Sequence, residues 1–245
     1  MKIKWYGQAA FMLTRQDGFR IVTDPYTPEE LGFAPMQDDA DLVLTSSDDD
    51  SAHCRSDLIP GNPVTFNTLD AVRAGGQAEV GGVEVRAIEA MEIEDHPLHE
   101  PGANAMYRFE VDGMQIGHMG DIGNDLNDRQ TAFFEGTDIL LTLAGGQFTT
   151  RLDEVKRLID VTRPKLVIPM HFRTLCYKPR SLLWINSFLS YFDEEKEVDF
   201  AFDCEAQVTR DSLPDTTRVL VMDYARQGHC KGRHPATDTE TDTGR

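Results

Sequence analysis

FEVDGMQIGHMGDIGNDL, residues 109–126, contains the main elements of this protein's construction. Phe109 and Val111 continue an alternation begun at Ala105 and Tyr107, with Met106, Arg108 and Glu110 between them. A period of two marks a half-buried strand. Asp112-Gly113 is a hairpin turn signal that returns the chain into MQIGH, 114–118. The apolar pattern then stops, and HMGDIGN (118–124) follows at once. Polar residues placed abruptly after a strand are expected at a cleft, because open α/β layers hold their sites beyond the strand ends.

The same construction recurs on either side. DLVLT (41–45) reads as a strand buried on both faces and runs into TSSDDDSAHC, 45–54. KLVIP (165–169) is another buried strand and runs into PMHFRT, 169–174. Before the first of these, KIKWY (2–6), AFMLT (10–14) and FRIVT (19–23) are separated by Gly7 and Asp17-Gly18, as in a hairpin meander. Val83, Val85 and Ala87 alternate with Glu84, Arg86 and Ile88 in a further strand. Beyond residue 124 strands alternate with helices. Leu126 to Glu135 reads as a helix and DILLTL (138–143) as a strand. Leu152, Val155, Leu158 and Ile159 mark one face of a helix ending before Pro164. SLLWINSFLSYF (181–192), apolar almost all round, predicts a buried helix capped by Ser181, and VDFAF and RVLVMDY are closing strands. No internal repeat is visible. Residues 1–224 read as a single domain and 225–245, rich in Thr, Gly, Asp and Arg, as a polar tail.

With 245 residues, 40% hydrophobic, and a mean hydropathy of −0.40, the chain has a soluble globular composition. No apolar run approaches the ~20 residues of a membrane span, and the N-terminus lacks the apolar core of a secretory signal, so a cytoplasmic location is expected. The net charge is −18, which repels phosphate backbones and excludes general nucleic-acid binding. The acids are Asp-rich, 26 against 16 Glu, and the bases Arg-rich, 17 against 7 Lys. Asp-rich, Lys-poor surfaces stay hydrated in concentrated salt, so a halophilic adaptation is one expectation and an ordinary acidic protein the other. Cys54, Cys176, Cys204 and Cys230 include no C-x-x-C pair and are expected as reduced thiols.

In combination, KIKWYGQAAFML…IVTDPY, ADLVLTSS, EVGGVEVRAI, FEVDGMQIGHMGDIGNDL, TDILLTLAGGQFT and RPKLVIPMHFRT resemble the metallo-β-lactamase-fold superfamily. The resemblance covers about residues 1–175 and is to the branch containing ascorbate-6-phosphate lactonase and metal-dependent hydrolases. It implies an α/β (α+β) fold, a four-layer αββα sandwich with a metal cleft along one edge. It also implies a ligand signature H-x-H-x-D-H, which aligns with Ser47-Asp48-Asp49-Asp50-Ser51-Ala52. A further family His falls near Glu92, the bridging acid on Asp121 and the last His on His171, while Gln8 replaces the His of a G-H motif. Five of the seven family ligands are thus altered, and the standard dinuclear zinc site is not expected.

Three readings follow. The leading one is a catalytically inert or ligand-binding relative, its dinuclear site dismantled. The alternative is a hydrolase of a small ester, lactone or phosphorylated substrate with one hard cation, Mn, Fe or Mg, on Asp49, Glu92, Asp121 and His171. The third is a displaced soft site among His53, Cys54, His96, His99 and Cys176. Asp24, His53, His118, Gly146 and Arg173 are candidates for a supporting shell or pocket, and four of them have a structural counterpart. Asp24 suits a turn, His118 a satisfied core histidine, Gly146 a strand-to-helix turn and Arg173 a surface ion pair. A small-molecule ligand and a homo-oligomer are the expected partners, without nucleic acid or membrane.

Overall fold

The computed structural model describes residues 1–48, 51–93 and 102–226. The first sheet is built from β1 (Lys2–Gly7), β2 (Ala10–Thr14), β3 (Arg20–Thr23), β4 (Leu42–Thr45) and β5 (Val64–Asn67). The second takes β6 (Gln77–Val80), β7 (Val83–Met91), β8 (Ala103–Val111), β9 (Met114–His118), β10 (Ile139–Leu143), β11 (Leu166–Met170) and β12 (Val198–Phe200). β13 (Glu205–Gln207) returns to the first sheet and β14 (Arg218–Val221) to the second. Strand order is β13-β1-β2-β3-β4-β5 in one sheet and β12-β14-β11-β10-β9-β8-β7-β6 in the other.

Alternation decides which face of each strand is covered. Ile3 and Trp5 stand opposite Leu13 and Phe11 across the β1–β2 hairpin, and all four join the core shared with Val85, Tyr107, Ile116, Leu141 and Ile168 of the second sheet. The intervening Tyr6 and Met12, with Val22 and Val43, face the other way, into a second cluster with Tyr26, Leu31, Phe33 and Tyr177. Both faces of this sheet are therefore buried, which explains why DLVLT is a continuous apolar run rather than an alternating one.

Helices α1 (Pro28–Leu31), α2 (Thr68–Arg73), α3 (Asp128–Phe133), α4 (Leu152–Thr162), α5 (Ile185–Leu189) and α6 (Glu194–Glu197) complete the mixed α/β sandwich. α3 is shorter than its sequence pattern, because Asn127 and Gln130 form a capping box that fixes its start. α4 buries Leu152, Val155, Leu158 and Ile159, the stripe visible in the sequence, at roughly 1.5–3 kcal/mol for each side chain.

The predicted helix over 181–192 is corrected to the short α5. Its first residues are committed elsewhere: Leu183 N–H donates to Gly145 O at 2.8 Å, and Leu183 O accepts from Arg173 N–H at 2.9 Å. Trp184 precedes the helix instead of lying within it and is 42% exposed. The cysteine expectation is also corrected in part. Cys54 and Cys176 are free thiols, whereas Cys204 is disulfide-bonded. Packing continues through Ala225, which is buried and donates its N–H to Trp5 O at 2.9 Å. Among the described residues no helix is long and apolar enough to cross a membrane.

β3 and β4 run parallel in the first sheet, as do β9, β10 and β11 in the second. Their C-terminal ends deliver Asp24, Ser46, His118 and His171 within one residue of a strand.

Candidate metal centre

Among the described residues, His53, Asp121 and His171 form a buried group whose ligand atoms lie within 4.8 Å of one another. His53 Nε2 is 3.2 Å from Asp121 Oδ2, His171 Nε2 is 3.2 Å from Asp121 Oδ1, and the two Nε2 atoms are 3.3 Å apart. The imidazole rings stack with a 15° interplanar angle.

Each ligand is held by its own surroundings. Asp121 follows Gly120, whose φ of +64° suits glycine, and Asp121 N–H donates to Asn104 Oδ1 at 3.0 Å. His171 follows β11 with φ +53°, its N–H donating to Gln8 O at 3.0 Å. Gln8 at +49° and Asp24 at +38° are likewise left-handed. Backbone forced into this sparsely populated region at three neighbouring cleft positions is the kind of strain that collects at functional sites. Asp24 is fully buried, accepts from Ser46 Oγ at 2.7 Å and lies 3.4 Å from His53 Nδ1. A carboxylate there favours the proton on Nδ1 and leaves the Nε2 lone pair directed at the cluster.

The electrostatics suit a cation. Burial pushes the Asp121 carboxyl upward, but the charges of His171 and His53 outweigh it and hold the group well below the usual carboxylate range. His171 Nδ1 and Gln8 Oε1 are buried without a hydrogen-bond partner. Three ligand atoms bonded to one tetrahedral ion at about 2.0–2.2 Å would be separated by roughly 3.3–3.6 Å. The two Nε2 atoms, 3.3 Å apart, match that spacing, and each lies 3.2 Å from a different oxygen of Asp121, so the residues present fit a single divalent ion.

Of the sequence candidates, Asp121 and His171 are brought together, and His53 joins them as a third donor. Glu92 is buried at the end of β7, accepts from Gly102 N–H at 3.3 Å and is not part of the group. Asp49, His96 and His99 lie outside the described residues. Cys54 and Cys176 are likewise not in the group. His118 accepts from Gly120 N–H through Nδ1 and approaches Ala9 O through Nε2, both at 3.0 Å, so its proton sits on Nε2. Burial lowers its pKa and keeps it neutral. It supports the Gly120-Asp121 turn instead of facing a ligand. Gly146 packs so closely that a Cβ would meet Leu152 Cγ at 2.8 Å. Arg173 lies 4.8 Å over the Trp184 ring and lines a cavity of about 400 Å³ with Phe200 and Phe202.

The family signature aligned its last imidazole with Ala52, and the cleft is reached one residue later, at His53, which the sequence offered for a displaced soft site or a supporting shell rather than beside Asp121 and His171.

The sequence model described as Beta-lactamase superfamily domain matches residues 2–171. A UPF0173 metal-dependent hydrolase of Carboxydothermus hydrogenoformans is 24% identical over 206 residues, covering 71% of this chain and 85% of the relative. A candidate Zn-dependent hydrolase of the metallo-β-lactamase superfamily from Thermotoga maritima superposes with a TM-score of 0.67 at 29% identity, covering 91% of this chain and 98% of that one. The metallo hydrolase Igni18 of Ignicoccus hospitalis shares the fold at TM-score 0.58 and 19% identity, over 94% and 96% of the two chains. The family match spans more than two thirds of the sequence and ends on His171 itself, and on that extent the chain belongs to the β-lactamase superfamily.

Proposed function

We propose that this protein is a metal-dependent hydrolase working with a single divalent cation held by His53, Asp121 and His171. The observation that carries the reading is the convergence of two imidazole nitrogens and a carboxylate at 3.2–3.3 Å in a buried group. Two imidazoles and a carboxylate suit zinc, iron or manganese, and leave room for substrate. The proposed substrates are small esters, lactones or phosphorylated compounds.

When bound, the cation supplies Lewis-acid polarisation of a carbonyl or phosphoryl oxygen. The chain's residues do the rest. Asp121 stays ionised through the neutral range, so it balances positive charge and does not act as a general acid. Asp24 fixes the tautomer of His53. His118, with both ring nitrogens engaged, moves no proton and keeps the Asp121 turn in place. Tyr177 borders the site, and its hydroxyl is raised mainly by burial, so it remains a neutral donor.

Metal-stripped protein titrated calorimetrically with Mn²⁺, Zn²⁺ and Fe²⁺ should take up one ion per chain, and His171→Ala and His53→Ala should each weaken binding at least about tenfold. Hydrolysis of an ester, lactone and phosphodiester panel should require the ion and disappear with a chelator. Absence of cation binding would return the protein to an inert relative, and two ions per chain would mean that residues outside this trio complete a dinuclear site.

A further inference from the structure

Gln8 occupies the turn between β1 and β2, is 2% exposed, and takes part in no step described above. Its backbone is pinned from two directions. The Gln8 carbonyl accepts from His171 N–H at 3.0 Å and from Trp5 Nε1–H at 3.1 Å. Together with the left-handed φ of +49°, this fixes where the side chain leaves the turn. That side chain reaches the metal centre: Gln8 Nε2 lies 2.5 Å from His171 Nε2, while Oε1 is buried with no partner.

This arrangement is unsatisfactory as a hydrogen bond. A nitrogen donor normally sits about 2.7–3.2 Å from its acceptor. In this orientation the amide donor faces a ring nitrogen of the centre, while the strong amide acceptor Oε1 has nothing to accept. A half-turn of the amide exchanges the two atoms at almost no cost in shape. Oε1 then points at the space shared by His53 Nε2, His171 Nε2 and Asp121, where a cation would accept its lone pair.

We propose that Gln8 is the fourth protein ligand of this centre, binding the cation through Oε1. The proposal rests on the single-cation reading above. It converts two imidazoles and one carboxylate into a set of two nitrogens and two oxygens. Neutral amide oxygen is a hard donor, so the set shifts preference from zinc toward manganese or ferrous iron. Four protein ligands also fill a tetrahedral zinc ion, whereas a six-coordinate ion keeps two positions for substrate and water.

The test uses full-length, metal-free wild type, Gln8→Ala, Gln8→Glu and His171→Ala, titrated calorimetrically with Mn²⁺ and Zn²⁺. Gln8→Ala should weaken Mn²⁺ binding about tenfold or more, and Zn²⁺ binding less. Gln8→Glu, which keeps an oxygen at the same reach, should bind Mn²⁺ at least as tightly as wild type. In protein labelled with ¹³C at the glutamine side-chain carbonyl, the resonance missing from Gln8→Glu should move downfield on adding Zn²⁺ to wild type, as a carbonyl polarised by a cation on its own oxygen does. Wild-type Mn²⁺ affinity in Gln8→Ala, or an unmoved Gln8 resonance with Zn²⁺ bound, overturns the ligand assignment and leaves the three-residue centre standing. Failure of wild type to bind either ion overturns both. If Gln8→Ala does not fold, the Gln8→Glu affinity and the labelled resonance decide.

Discussion

Gly120→Ala should damage this protein through two separable effects. The first is conformational: Gly120 has φ +64°, and an alanine held there costs roughly 1–2 kcal/mol. The second is steric. A Cβ would collide with Asn104 Oδ1, lie 2.5 Å from Ala105 O and crowd Ser46 Cβ at 3.2 Å. Ala105 O is backbone of a buried strand and cannot swing aside, and Asn104 can move only by giving up its bond to Asp121 N–H, so overpacking adds about 1–3 kcal/mol. Gly18 supplies the control. Its φ is +91° but nothing lies within 4 Å of its missing Cβ, so Gly18→Ala carries only the conformational cost. In urea titrations of metal-free protein, Gly120→Ala should therefore be less stable than Gly18→Ala by about 1–3 kcal/mol. The consequence for the site is specific, because Asn104 Oδ1 is the acceptor for Asp121 N–H. An ion at 100 times its dissociation constant stabilises a binding-competent fold by about 2.7 kcal/mol. Gly18→Ala should keep that increment with Mn²⁺ and Gly120→Ala should lose most of it. Equal stability of the two variants within about 0.5 kcal/mol, the usual scatter of neutral substitutions, would refute the steric argument. An undiminished Mn²⁺ increment in Gly120→Ala would refute the idea that this turn sets Asp121.

Three other outcomes are expected. In the metal-free protein Asp121 is depressed below its unfolded value of about 3.9, so its stabilising contribution is present above that pH and is lost as pH falls. Melting temperature should drop between about pH 5 and 3 in wild type and drop less in Asp121→Asn, and parallel acid limbs would sink this. Raising KCl from low to molar concentration should raise the melting temperature if the −18 net charge reflects salt adaptation, whereas a flat or falling profile removes that expectation. Asn127→Ala breaks the α3 capping box, far in role from the metal ligands, and should cost about 1 kcal/mol in urea denaturation while leaving Mn²⁺ affinity within error.

Periodicity and punctuation alone were enough to locate the β1–β2–β3 meander, the buried runs of β4, β10 and β11, the β8–β9 hairpin and the α4 stripe. These are local: a period of two or 3.6 and a glycine turn are written in adjacent residues. The segments that carry Asp121 and His171 were legible for the same reason, as polar stretches after buried strands, and the family resemblance singled out these two residues within them. The 181–192 helix failed because Leu183 bonds to Gly145 and Arg173, partners that no local pattern reveals. Tertiary structure alone decided that His53, at the far end of an acidic loop, meets Asp121 and His171, which lie 68 and 118 residues further along the chain. It also brought Gln8 against His171 across 163 residues, through a backbone hydrogen bond between the ends of two different sheets. Ligand identity at such a centre depends on distances of a few ångströms, and those are fixed by how strands from two sheets end together rather than by the spacing of residues along the chain.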